Sequence, residues 1–214
     1  MIKKTLALLA LAVVTTTAQA GTSAPAPSGK GVIAPTIEPD SISYRNFSLG
    51  YLRNSADLGN GLTTGSNGIA AALEYSPVNN LYVAAGGSFS EFRTLGQNDD
   101  YWTANAGVGG YIPLTGNIHF VTEVGASYIQ GAGAGNDWGL YVTPHIRAKF
   151  GKFETHLGAT YNSNDLALDE WTGFLRLLYE VAPNTDLYVT GSIGLTEDNA
   201  DSIYGLQAGI RLKF

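Results

Sequence analysis

From about residue 42 to the C-terminus, hydrophobic and polar residues alternate one by one, and no stretch repeats at 3.6 residues. Such alternation marks a β-strand with two unlike faces, because successive side chains point to opposite sides. The pattern predicts ten strands, at roughly Ile42–Arg53, Gly68–Ser76, Leu81–Phe92, Tyr101–Ile112, Asn117–Gln130, Trp138–Phe150, Lys152–Ser163, Glu170–Ala182, Leu187–Thr196 and Ser202–Phe214. The connections are of two kinds. Pro77-Val78-Asn79-Asn80, Pro113-Leu114-Thr115-Gly116, Gly151 and Pro183-Asn184-Thr185-Asp186 have the composition of tight turns. Segments 54–67, 93–100, 131–137, 164–169 and 197–201 are mostly longer and polar or glycine-rich. Four turns and five loops make an up-and-down order with both chain ends on the turn side; eight strands is the alternative if one weak hairpin does not form.

One parity of these segments carries no charge. It includes Phe47, Leu49 and Tyr51, then Phe153, Leu157 and Tyr161, then Trp171, Leu175, Leu177 and Tyr179, and finally Tyr204, Leu206, Ile210, Leu212 and Phe214. The other parity is polar or small and holds Glu74, His119, Glu123, His145, Arg147, Glu154, His156, Arg176, Glu180 and Arg211 among Ser, Thr, Asn and many Gly. Aromatic residues on the apolar parity sort by height. Tyr51, Phe89, Trp102, Tyr128, Trp138, Tyr161, Trp171 and Tyr204 fall near the loop ends, while Tyr75, Phe150, Phe153, Tyr179 and Phe214 fall near the turn ends. Phe153 to Tyr161, Trp171 to Tyr179 and Tyr204 to Phe214 are each eight to ten residues apart. At ~3.3 Å per residue and a tilt of about 40°, that separation spans roughly 20–25 Å, the height of a membrane-embedded apolar band. Tyr and Trp suit the two edges of such a band because one end of the ring is apolar and the other is wet. A soluble β-sandwich would also alternate. Its aromatics, however, need not gather at strand ends, and its polar face would carry more Lys and Glu. The expected fold is therefore all-β, a closed antiparallel up-and-down transmembrane barrel.

The N-terminus changes where that fold begins. Lys3 and Lys4 precede an apolar run from Thr5 to Val14, and Ala18-Gln19-Ala20 has the small-x-small form of a cleavage site. Together they predict a signal peptide at residues 1–20. Residues 21–41 hold Pro25, Pro27, Pro35 and Pro39 among Ser, Gly and Thr, which predicts a flexible periplasmic linker ahead of a barrel domain at 42–214. Loss of Lys3 and Lys4 takes the formal net charge from −6 to −8, which argues against nucleic acid as a partner. The chain has no cysteine, so a disulfide scaffold, a thiol nucleophile and a Cys-based metal site are excluded. Twenty-seven glycines and twelve tyrosines with only 14% charged residues fit a membrane barrel.

The chain ends Tyr204-Gly-Leu-Gln-Ala-Gly-Ile-Arg-Leu-Lys-Phe214, with apolar residues at alternate positions before a terminal aromatic. This resembles the C-terminal signal by which outer-membrane proteins are recognised for assembly, with Phe214 as its last residue. Over about residues 42–214 the pattern resembles the small outer-membrane barrels, the OmpA- and OmpX-like class. That resemblance implies a Gram-negative outer-membrane location. The partners it implies are outer-membrane lipid, lipopolysaccharide and, during biogenesis, the barrel-assembly machinery. It carries over no activity, since the class includes structural barrels, adhesins, small channels and enzymes.

Candidate chemistry narrows the choice. Proteases of the omptin type place Asp and His at the outer mouth, whereas His119, His145 and His156 fall within or low on their strands. Lipid A deacylases resemble a His-x-Ser pair beside a Glu; the sequences here are His119-Phe-Val, His145-Ile-Arg and His156-Leu-Gly. The favoured reading of Glu74, His119, Glu123, His145, Arg147, Glu154, His156, Arg176 and Glu180 is a luminal polar network, because polar groups facing an enclosed space need partners. No catalytic residue, metal site or cofactor is expected from it. Acids crowd the loops: Asp57, Glu91, Asp99, Asp100, Asp137, Asp165, Asp169, Glu170, Glu197, Asp198 and Asp201 face only Arg53 and Arg93. A solvated rim accounts for them, and divalent-cation binding is the alternative. The sequence thus predicts a non-enzymatic barrel with a structural or surface-interaction role. A narrow porin-like channel comes second, and an enzyme acting on lipid A or peptides third. The surface ligand is left open.

Overall fold

A computed structural model describes residues 42–57, 63–94, 97–131, 135–167, 169–196 and 202–214. The expected signal segment and linker, residues 1–41, lie outside them. The described chain forms ten antiparallel strands: β1 Asn46–Asp57, β2 Thr63–Val78, β3 Leu81–Thr94, β4 Gln97–Thr115, β5 Ile118–Gly131, β6 Gly135–Phe150, β7 Phe153–Asn162, β8 Trp171–Ala182, β9 Thr185–Gly194 and β10 Ser202–Lys213. Each strand pairs with its sequence neighbours, and β1 also pairs with β10, from Asn46↔Lys213 to Asp57↔Ser202. The sheet is therefore a closed barrel without edges, the arrangement that lets β-structure cross a bilayer with every backbone group paired.

The four tight connections are two-residue turns at Asn79–Asn80, Gly116–Asn117, Gly151–Lys152 and Pro183–Asn184. Asn80, Asn184 and Gly151 take positive φ (67°, 63° and 58°), the region that Asn and Gly tolerate best. The register shifts between Tyr75 and Val78, and again between Pro113 and Thr115. Pro77 lies within the first shift and Pro113 borders the second, where their missing N–H costs least.

Face selection follows the parity of the sequence. Phe47, Leu49 and Tyr51 point outward and are exposed, as are Leu157, Leu175, Leu177, Leu206 and Ile210. Arg147, Glu154, His156, Asp186 and Arg211 point inward and are buried. The molecule is thus apolar outside and polar within, as a transmembrane barrel must be.

Three stretches depart from the sequence expectation. The first strand starts at Asn46, not Ile42, because the chain leaves the sheet before it and residues 42–44 turn into the lumen. There Ile42 and Tyr44 pack against Tyr82 and Val121. The expected loops at 54–67 and 93–100 are mostly ladder, with β1 running to Asp57, β2 starting at Thr63, β3 running to Thr94 and β4 starting at Gln97. Polar residues end the apolar belt there, but backbone pairing continues beyond it. Between β6 and β7 the pairing skips from Val142↔Tyr161 to His145↔Gly158. Pro144 falls in that gap and has no N–H to give.

Candidate functional site in the barrel lumen

At the turn end of the lumen, acids and bases alternate in a chain. Glu180 accepts from Lys213 Nζ at 2.6 Å, and Lys213 also donates to Asp186 at 3.0 Å. Arg211 Nε donates to Asp186 at 2.7 Å, and Arg211 Nη1 to Glu154 at 3.1 Å. Glu154 Oε1 also accepts from Arg147 Nη2 at 3.0 Å and lies 2.7 Å from His156 Nε2. Arg147 Nη1 donates to Glu74 at 3.0 Å. Glu74 is on β2 and Arg147 on β6, so this last pair crosses the lumen. Arg147 is 0% exposed. A guanidinium so buried persists only because carboxylates and a carbonyl take up its donors.

The segment before β1 is built into this layer. The Ser43 carbonyl accepts from Arg147 Nη2 at 3.1 Å, and Asn46 Nδ2 donates to Glu74 at 2.8 Å. The Arg147 guanidinium lies 4.3 Å from the centre of the Tyr44 ring, within cation–π range. Tyr44 stacks on Tyr111 at 4.1 Å and on Tyr82 at 5.2 Å, and its hydroxyl is 3.0 Å from His119 Nδ1. Burial holds its phenol above the ordinary tyrosine range. Phe214 N donates to the Arg45 carbonyl at 3.1 Å, tying the C-terminus to the base of the same segment.

Above this layer sits a chamber of about 330 Å³ lined by Asn105, Glu123, Ser127, Tyr141, Thr143, Thr160 and Asn162. Glu123 accepts from Tyr82 at 3.0 Å and from Tyr141 at 2.6 Å. Thr143 and Thr160 join hydroxyl to hydroxyl at 3.0 Å across the interrupted β6–β7 ladder. At the loop end, residues 163–167 lie along β6, with Ser163 N donating to Leu140 O and Asn164 Nδ2 to Asp137 O. The inward Tyr101 hydroxyl on β4 donates to Leu166 O at 3.2 Å, so this loop leans over the mouth.

The nine inward residues singled out by sequence thus fall into separate groups. Glu74, Arg147, Glu154 and His156 join in one cluster. Glu180 reaches that cluster only through Lys213 and Asp186. Glu123 belongs to the chamber, and His119 to the Tyr44 stack. His145 faces His156 and Phe174, each at 5.9 Å, with Nδ1 3.3 Å from Thr143 O. Arg176 donates to Thr190 at 2.8 Å and lies over the Tyr188 ring. Tyr44, Asp186 and Lys213 were missed. Parity extended one residue before the expected start at Leu187 would have turned Asp186 inward, and Lys213 already fell on the inward parity of the last strand. Tyr44 gave no such signal, since its place depends on the chain leaving the sheet.

On the outer surface the aromatics meet in cross-strand pairs. Phe89 faces Trp102 at 4.7 Å, Tyr128 faces Trp138 at 4.9 Å, and Tyr161 faces Trp171 at 5.2 Å near the loop end. Phe153 and Tyr179 meet at 4.8 Å near the turn end. Tyr51 donates to Asn67 at 2.6 Å. Tyr75, Phe150, Tyr204 and Phe214 are exposed without such a ring partner among the described residues, although Arg45 lies over the Tyr75 ring. Of the acidic positions, Asp169 accepts from Trp171 N, Thr196 N and the Thr196 hydroxyl, and so ties two loops together. Asp137 accepts from Asp165 N. No group of three His or acidic side chains among the described residues is placed to hold a metal ion.

No family model matches this chain, and no curated protein does. Among solved structures it is similar to the KdgM porin, at 13% identity over 79% of this chain and 98% of that one, TM-score 0.43. It is similar to Ail, the attachment invasion locus protein of Yersinia pestis, at 12% identity over 80% and 100%, TM-score 0.40. Outer membrane phospholipase A from Escherichia coli matches at 11% identity over 86% and 95%, TM-score 0.40. Such identities and scores carry no activity, ligand or partner across to this chain. By its own geometry, a closed ten-strand barrel with an apolar exterior, it fits the small outer-membrane barrels of the OmpA/OmpX-like class.

Proposed function

We propose that this protein is an exported, integral outer-membrane barrel with a structural or surface-interaction role, closed at rest and not a catalyst. The observation that carries this reading is the Glu74–Arg147–Glu154 bridge across the lumen with Tyr44 packed on it. A water-filled pore would leave those charges hydrated, whereas here all three are paired and Arg147 and Glu154 are buried. The loop at 163–167 narrows the other mouth through Leu166 and Tyr101. Each histidine is buried as well as engaged with a carbonyl, a carboxylate or a phenol, which leaves a substrate little access to it. Lipopolysaccharide and outer-membrane lipid are the partners of the exterior, and the assembly machinery is the partner of the Phe214 terminus.

Planar-bilayer recording of the refolded protein tests the closed state. The expected result is a silent membrane at moderate voltage. Steady unitary steps from the unaltered protein would instead favour the narrow-channel reading. Loss of lipid A acyl groups on incubation with the unaltered protein, abolished by His145→Ala, would favour the enzymatic one.

A further inference from the structure

We infer that residues 42–44 form a displaceable plug, with Tyr44 as its head, and that its withdrawal opens the barrel to water at the turn end. The inference rests on the closed-barrel reading and names the part that closes it. Three observations carry it. First, the segment belongs to no strand and is held by side-chain contacts, so it can leave without breaking the barrel's ladder. Second, its socket is unlike the rest of the lumen. Tyr82, Tyr111 and Val121 face inward and form a largely apolar, aromatic pocket, edged by Ala84 and His119, that Ile42 and Tyr44 fill. A polar lumen has no use for such a pocket unless an apolar group fills it. Third, the segment grips the Arg147 end of the cross-lumen bridge, while β1 holds the other end. The Ser43 carbonyl and the Tyr44 ring hold Arg147, while the neighbouring Asn46 amide holds Glu74. Withdrawal therefore removes the ring that fills the mouth and two of the contacts that keep Arg147 stretched across it.

The absence of native cysteine allows a test made after folding. Ile42→Cys is refolded, its folded state is checked by heat-modifiable mobility, and it is then treated with a small charged thiol reagent, with modification read by mass. A charge at residue 42 disfavours the apolar socket. The expected result is slow but complete modification, after which discrete conductance steps appear where the untreated variant gave none. Tyr44→Ala, if it folds, should conduct without treatment. A modified barrel that stays silent overturns the plug, as does a thiol that never reacts, since the segment then does not leave. Steps from the unaltered protein would defeat the closed-barrel reading itself, a different outcome from either.

Discussion

Arg147 shows what one residue does inside this barrel. Its guanidinium meets Glu74, Glu154 and the Ser43 carbonyl, away from water. Arg147→Ala would leave Glu154 buried and Glu74 half-buried, each with fewer partners, and loss of one member of a buried pair costs about 3–5 kcal/mol. The midpoint of urea unfolding in lipid, read by the gel shift between folded and unfolded forms, should fall accordingly. Lys213→Ala is the contrast. Of its two partners, Glu180 is 28% exposed and can rehydrate, and the buried Asp186 keeps its pairing with Arg211, so the loss should be below that of Arg147→Ala. Glycines separate in the same way. A Cβ at Gly158 would press on the His145 Cβ and the Pro144 carbonyl, whereas one at Gly191 would meet nothing within 4 Å. Gly158→Ala should cost about 1–3 kcal/mol by overpacking, and Gly191→Ala should lie near zero in the same assay.

At the scale of the strand, height decides. β7 runs from Phe153 to Asn162, with Phe153 and Tyr161 near its two ends and the exposed Leu157 midway on the same face. Leu157→Arg should cost about 2–4 kcal/mol, because the charge falls at the bilayer midplane, while an Arg at either edge should cost about 0–1. A series of single Arg substitutions along the outward positions of β7, each unfolded in the same lipid, would trace this profile. A flat profile would mean that the apolar face does not meet acyl chains. The strand pattern was legible from sequence because strand periodicity is local: each position's face follows from its neighbour's. Strand ends were less legible. Backbone pairing at 93–100 continues where the apolar signal stops, and the chain at 42–45 leaves the sheet though its composition does not change.

For the whole molecule, closure is the governing fact. β1 bonds to β10 across the largest separation in sequence, so folding waits for the last strand. Phe214→Ala should therefore slow assembly in cells more than it lowers the stability of the assembled barrel. Its terminal amide still bonds to Arg45, and the side chain stands exposed. Pulse-chase appearance of the heat-modifiable form, set beside the unfolding midpoint, would separate the two effects.

The alternation of residues by itself determined the ten strands, the side of the wall each side chain occupies, and the rings that gather near its rims. Those follow from a two-residue period and from the preferences of aromatic groups for an interface, both of which can be read one segment at a time. Only the tertiary structure decided which inward groups touch. Glu74 and Arg147 stand 73 residues apart and meet because the stagger of the closed sheet sets them at one height on opposite walls. Tyr44 fills the lumen because closure creates a socket there, and no local pattern specifies a cavity that the whole ring of strands must first enclose.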